Sequence, residues 1–217
     1  MSLFVTFEGC EGCGKSLQSK AIYKRFSDAG IPATITYEPG GTPLGDEIRR
    51  LVKRQRLDDL SPEVELLLFA SCRFHLVNKV IRPSLEEGKT VICDRFSDST
   101  TAYQGYGRGI DLNLVRTINS LATQGIRPDL TVLLDIPVGE GLVRKKSGGK
   151  DRFEAEKLDF HRRVRNGYLE LAAREPERWM IIDATLPKTV ITETIWNKVS
   201  YLLSQNQDMV RLDCLEK

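Results

Sequence analysis

The chain reads Gly9-Cys10-Glu11-Gly12-Cys13-Gly14-Lys15-Ser16 between an apolar run, Leu3-Phe4-Val5-Thr6-Phe7, and a segment in which Leu17, Ala21, Ile22 and Phe26 recur at helical spacing. The octet matches G-x-x-x-x-G-K-[ST], and its neighbours are the strand and the helix that the pattern requires. An apolar strand turned by glycines directly into a helix commits the chain to βαβ units and a parallel sheet. Such a turn aims backbone N–H groups inward while the helix N-terminus presents its positive dipole end, so the loop binds an anion. Residues 9–16 are therefore expected to wrap nucleotide phosphates, with Lys15 reaching the β- and γ-phosphates and Ser16 supplying a ligand to Mg²⁺.

Downstream, short β-branched apolar runs alternate with longer helical patterns. Strands are expected at about residues 3–7, 33–36, 90–93, 130–134 and 179–182, giving an α/β three-layer sandwich in which helices cover both faces of a five-stranded parallel sheet. Three of these runs end on an acid, Asp94, Asp135 or Asp183, and ligands of such sheets sit at strand carboxyl ends. One of the three acids is expected to serve the magnesium. Ser61-Pro62 is a capping side chain followed by proline at the first helical position, so a long helix is expected over residues 62–87, closed by Gly88. Further helices are expected over 154–173 and 188–203, with Gly105, Gly107 and Gly109 breaking a shorter one. The whole reads as one domain over residues 1–204, followed by a tail at 205–217 to which the sequence assigns no role.

At 217 residues the chain is long enough to bury about 70% of its unfolded surface in one core. A formal net charge of +2 is too small for a protein that neutralises many phosphates of a nucleic acid. No apolar run approaches the ~20 residues of a membrane span. No basic-then-apolar leader follows Met1, and five scattered cysteines suit a reducing compartment, so a cytoplasmic protein is expected. Cys10 and Cys13 form a C-x-x-C, which reads as a redox or zinc motif or as filler of the variable loop positions. No second C-x-x-C or nearby histidine completes a zinc site, and zinc is set aside.

Five further stretches carry chemistry. Asp94-Arg95-Phe96 follows an apolar strand, placing a carboxylate for the metal beside a guanidinium whose planar fork suits a phosphate; a salt bridge at a strand end is the plainer reading. Ser99 and Tyr103, and Thr100 and Gln104, stand one helical turn apart and would face a common neighbour. Phe69 and Arg73 are also one turn apart, a ring that can stack on a base and a cation that can bond its edge, although Phe69 equally suits the core. Glu38-Pro39-Gly40-Gly41-Thr42-Pro43 is a turn-forming stretch after the second strand. Finally, Arg144-Lys145-Lys146-Ser147-Gly148-Gly149-Lys150-Asp151-Arg152 reads as a mobile lid at about 143–154 or as a solvated basic loop.

Taken in order, residues 9–16, 38–43, Phe69 with Arg73, Asp94-Arg95-Phe96 and Ala102-Tyr103-Gln104-Gly105 resemble the thymidylate kinase family over about residues 3–184. The resemblance implies transfer of the γ-phosphoryl of ATP to dTMP, with Mg²⁺ as cofactor and commonly a homodimer. By the same resemblance, Lys15 and Ser16 hold the ATP phosphates and metal, Arg95 the dTMP phosphate, and Phe69 and Arg73 the thymine. Thr100 and Gln104 meet its polar edge, with Ser99 beside them, and Tyr103 crowds a ribose 2′-hydroxyl. Glu11, Glu38, Pro39 and Arg49 are further acceptor-site contacts, Arg144 stacks on adenine, and Asp183-Ala184 begins the adenine-side loop. Glu11 stands where one branch of the family carries arginine; the chain is similar to the other branch, whose catalytic arginine lies in the lid, here Arg152. The basic cluster departs from the family in its Ser147-Gly148-Gly149 interruption. The acceptor is already anionic, so no general base is expected. The rival readings are a kinase for another monophosphate, a GTP switch and a nucleic-acid ATPase. The switch lacks a fitting N-K-x-D, since Asn78-Lys79-Val80-Ile81 has no acid.

Overall fold

The computed structural model describes residues 2–54, 60–145 and 151–213, with backbone alone from residue 206. Along the chain run β1 (Phe4–Glu8), α1 (Lys15–Asp28), β2 (Ala33–Tyr37), α2 (Pro43–Lys53), α3 (Pro62–Leu76), α4 (Arg82–Glu86) and β3 (Thr90–Asp94). There follow α5 (Ser97–Thr100), α6 (Leu112–Thr123), β4 (Leu130–Asp135), α7 (Val138–Arg144), α8 (Leu158–Arg174), β5 (Trp179–Asp183) and α9 (Lys188–Asp213). The five strands form one parallel sheet in the order β2-β3-β1-β4-β5.

The expected strands are all present, each extended to include the residue at its carboxyl end. Central β1 is buried at every position, whereas edge strand β5 exposes Ile181 and Asp183, because central parallel strands are covered by helices on both faces. Val5, Phe7, Val132 and Leu134 pack on one face with Ile22 and Phe26 of α1 and Ile195 of α9. On the other face Phe4 meets Leu76 and Phe96, and Leu133 joins a cluster with Phe160, Val164 and Tyr168 of α8. That second face carries the helices that wall the site.

Four helical expectations are corrected. The helix capped by Ser61, whose hydroxyl accepts from the Val64 N–H at 3.3 Å, passes through a π-helical segment at Val77–Ile81. Pro83 is the reason: it has no N–H, and its ring clashes with a carbonyl one turn earlier, so the ladder shifts register just before it. Gly105 does not break the next helix, which continues from α5 as a π-helical segment at Thr101–Gly107 and ends there, with Gly109 at φ 82 just beyond; Gly105 and Gly107 lie within it. They serve close packing instead, since a Cβ at Gly107 would lie 2.7 Å from the Phe160 ring. The helix expected from residue 154 begins at Leu158, because the Asp151 carboxylate accepts the N–H groups of Phe153 and Glu154 and holds a turn there. The last helix outruns its expected end and reaches Asp213, with no glycine or proline to stop it. Residues 146–150, the glycine-bearing part of the proposed lid, lie outside the described residues.

Candidate active site

The carboxyl ends of β1, β2 and β3 open into a cleft of about 790 Å³, a volume typical of small-molecule sites. The loop from Gly9 to Gly14 forms its floor. Gly12 has φ 74, and a Cβ there would sit 1.9 Å from the Gly141 carbonyl oxygen, so only glycine lets α7 lie against the loop. That approach brings Lys145, just past α7, to 3.6 Å from Glu11. Lys15 opens α1, and its ammonium donates to the Gly9 and Cys10 carbonyls at 3.0 and 2.8 Å. The Ser16 hydroxyl donates to the Asp94 carboxylate. Among the three strand-end acids, Asp94 is the one that lines the cleft; Asp135 is held by Arg165 at 2.7 Å, and Asp183 accepts from Thr185. Cys10 and Cys13 are buried in clusters on opposite faces of the sheet, and burial pushes the Cys10 thiol up to about 12. A buried, protonated thiol supports the filler reading of the C-x-x-C.

Facing the loop is Arg95, which has φ 74, an uncommon conformation for a residue with a side chain. Its backbone N–H donates to Phe7 O at 3.0 Å, tying the turn to β1. The guanidinium donates to Gly9 O, Ser99 and Tyr168 at 3.2 Å through Nη1, and through Nη2 to Glu11 at 2.7 Å and Tyr103 at 3.2 Å. Burial acts to raise the Glu11 carboxyl, but Arg95, Lys15 and Lys145 outweigh it and hold the group well below the usual carboxylate range. Glu11 thus stands as a permanent anion where three cations converge.

The third wall is α3 with the Glu38 turn. Arg73, 1% exposed, donates to Glu38 at 2.8 Å, Asn119 at 2.8 Å, Phe96 O at 3.2 Å and Thr100 at 2.8 Å. Thr100 accepts that bond, which leaves its own hydrogen available. Gln104 donates its amide N–H to Glu65 at 2.6 Å, so its carbonyl oxygen remains an acceptor. Phe69 lines the cleft while packing on Phe153 at 5.9 Å between centroids. Arg49 donates to the Pro39 carbonyl at 2.8 Å on the same rim.

The structure brings together in the cleft Glu11, Gly12, Gly14, Lys15, Ser16, Glu38, Pro39, Arg49, Phe69, Arg73, Asp94, Arg95, Ser99, Thr100, Tyr103 and Gln104. Arg144 lies outside it, donating to the Ala184 carbonyl at 2.8 Å, so the expected adenine-side residues do cluster with one another. Arg152 is placed elsewhere than expected. Its guanidinium bonds the buried Glu65 and the Val52 carbonyl and stacks on Phe153, leaving Lys145 as the basic residue from the lid segment that lines the cleft among the described residues. The reason is Glu65, a fully buried acid whose charge demands cations, which it finds in Arg152 and Arg108. Sequence reasoning also missed Glu8, Tyr168 and Asn119. Glu8 carried a signal, an acid in an otherwise apolar central strand; Tyr168 and Asn119 carried none.

A glycine loop at a helix N-terminus, a strand-end acid beside its serine and an opposing guanidinium in one cleft define a P-loop phosphotransferase of the nucleotide-kinase class. The family model described as Thymidylate kinase matches residues 7–195, most of the chain. The chain is 51% identical to a thymidylate kinase of Dehalococcoides mccartyi over 203 residues, covering 94% of this chain and 98% of the relative. It is 47% identical to one of Roseiflexus sp. strain RS-1 over 208 residues, covering 90% and 92%. The crystal structure of thymidylate kinase from Ehrlichia chaffeensis superposes with a TM-score of 0.75 at 34% identity, covering 91% of this chain and 98% of that one. The chain belongs to the thymidylate kinase family.

Proposed function

We infer that this chain transfers the γ-phosphoryl of ATP to dTMP, giving dTDP and ADP. The observation that carries this reading is the meeting, in one cleft of a chain of this family, of the phosphate loop with the wall formed by Arg95, Phe69 and Arg73. ATP lies along residues 9–16 with its adenine toward Arg144, Asp183 and Ala184, and dTMP lies opposite with its phosphate on Arg95. Ser16 and Asp94 would hold Mg²⁺ through the hydroxyl and carboxylate oxygens it prefers, and the bound ion would supply charge neutralisation at the phosphates. Lys15, Arg95 and Lys145 stabilise the charge that spreads over the phosphoryl oxygens, and no side chain removes a proton because the acceptor is an anion. Arg152 acts from outside the cleft, by holding Glu65 and through it Gln104.

The base-reading edge has a definite polarity. Arg73 and the Thr100 hydroxyl donate and the Gln104 carbonyl accepts, which complements a pyrimidine with carbonyl oxygens and an N3–H. A coupled assay over a panel of monophosphates tests this. dTMP is used best, and dUMP, lacking one methyl, is about 10–200-fold poorer in kcat/KM. dCMP, which reverses donor and acceptor at N3 and at the C4 substituent, is poorer than dUMP; equal use of dCMP and dTMP overturns the reading.

A second copy of the chain covers the outer face of α3 and α6. Leu67 and Phe74 on α3 are 54% and 42% exposed, Leu121 on α6 is 70% exposed, and the two helices pack together. Large apolar side chains grouped on neighbouring helices mark an interaction surface. Because α3 carries Phe69 and Arg73 on its inner side, dimerisation braces the acceptor wall. Paired Leu67→Glu and Leu121→Glu substitutions convert a dimer into a monomer in sedimentation velocity; an unchanged coefficient sinks this assignment. The four described free cysteines are all buried, which supports a reducing compartment and hence the cytoplasm.

A further inference from the structure

Glu8, at the end of β1, is an acid that phosphoryl transfer itself leaves unused. It is fully buried, directly beneath the Arg95 turn. One carboxylate oxygen, Oε1, accepts the Phe96 N–H at 2.8 Å. The other, Oε2, accepts the Ser99 hydroxyl at 2.6 Å and the Tyr168 hydroxyl at 2.8 Å. Those same hydroxyl oxygens, 2.8 Å apart, each accept from Arg95 Nη1 at 3.2 Å.

The direction of these bonds is forced. A guanidinium donates only, and a hydroxyl has one hydrogen, so an oxygen that accepts from Arg95 must turn its hydrogen elsewhere. With the Glu8 carboxylate as terminal acceptor, both hydrogens leave Arg95 and both sets of lone pairs face it. We propose that Glu8 is a positioning residue for the acceptor phosphate: through Ser99 and Tyr168 it sets the polarity that holds the Arg95 guanidinium in place. The inference rests on the assignment of Arg95 to dTMP given under Proposed function.

Glutamine at position 8 isolates this polarity. The Phe96 N–H requires an oxygen opposite it, so the amide nitrogen must take the place of Oε2 and donate to Ser99 and Tyr168. Their hydrogens are then pushed toward each other or toward Arg95, where donor meets donor. The turn keeps its backbone bond while the guanidinium loses its acceptors.

The same geometry gives the site a proton dependence. The charged and titratable groups facing Glu8 are Arg95 and Asp98 beyond β3, Cys93 on β3 and Tyr168 on α8, with Asp98 paired to Arg178 at 2.6 Å. Burial first, and then the charge of Asp98, push the Glu8 carboxyl up to about 7 against the pull of Arg95. Protonated Glu8 carries a hydrogen on the side of the hydroxyls, as glutamine does, so the hold on Arg95 is complete above neutrality and fades below it.

Steady-state kinetics with dTMP and ATP varied separately, on either side of neutrality, tests the inference. In Glu8→Gln the KM for dTMP rises about ten- to hundredfold, the range for losing hydrogen bonds to a charged group, while the KM for ATP holds. Wild-type dTMP affinity falls on the acid side of neutrality, and the variant retains only the titration of the acceptor's own phosphate near pKa ~6. Tyr168→Phe shifts the dTMP KM the same way, and the two changes combined give less than the product of their separate effects. A dTMP KM unchanged in Glu8→Gln with normal ATP kinetics overturns the proposal, as does an unchanged Tyr168→Phe enzyme should the glutamine variant not fold. A wild-type enzyme that ignores dTMP defeats the substrate reading instead, and the wiring is then read with the monophosphate that the panel identifies.

Discussion

Replacing Arg95 with alanine lowers dTMP-dependent turnover by about 10³- to 10⁵-fold, the loss associated with a well-placed arginine in phosphoryl transfer, while ATP still binds. Two observations make the effect this large. The guanidinium sits in a buried ring of polar atoms, where charge is poorly screened, and it reaches the Gly9 carbonyl that Lys15 also reaches, so its charge stands at the phosphate loop. Its loss leaves the acceptor phosphate facing Glu11, which keeps Lys15 and Lys145 as partners and so remains an anion. The backbone contributes nothing to the difference, because alanine at φ 74 carries the same conformational strain as arginine. Arg95→Lys is not a mild control: one ammonium cannot reach the five acceptors now shared by two nitrogens. Kinetics with each substrate varied, together with titration of ATP binding, decide the matter. Lost ATP binding with dTMP binding intact would refute the assignment.

Arg73→Ala destabilises the folded protein by about 3–5 kcal/mol, the cost of stranding the partner of a buried ion pair. For a chain of this size that is a fall in Tm of about 10 °C. Arg73 and Glu38 are 1% and 4% exposed and 2.7 Å apart, so removing the guanidinium leaves a carboxylate with neither water nor a cation. Burial already raises the Glu38 carboxyl, and Arg73 is what pulls it back down. Without Arg73 it rises further, and the folded state then binds a proton that the unfolded chain gives up. The sign follows: stability conferred by a raised carboxyl is present below the unfolded value and lost as pH rises through the folded one. The deficit of the variant therefore grows with pH above the ordinary carboxylate range and shrinks on acidification. Thermal melts on both sides of neutrality read this out, and a Tm equal to wild type at alkaline pH contradicts it. The variant also loses the donor to Thr100, so dTMP binding falls even where the protein is folded.

Much of this site could be read from residues close in sequence. The phosphate loop announces itself because its glycines, lysine and serine must stand at set offsets for backbone N–H groups to surround an anion. Phe69 with Arg73, and Thr100 with Gln104, were legible because one helical turn places both members of each pair on one face. Arg152 was not legible. A basic residue in a lid segment and one bound to a buried acid look alike in sequence, and Glu65 lies 87 residues away. The π-helical segment at Thr101–Gly107 was hidden for a related reason, since Gly105 signals a helix end until Leu112 is known to need the space of its missing Cβ.

The amino-acid order alone determined that this is a parallel α/β protein with an anion loop after its first strand, since periodicity and loop spacing act over a few residues and need no distant partner. Tertiary structure decided which polar and charged groups meet: Glu8 with Ser99 and Tyr168, Glu65 with Arg152, Glu11 with Arg95 and Lys145. Those pairings arise when strands far apart in the chain come into register, and the low polarizability of the packed interior then forces every buried charge to find a partner.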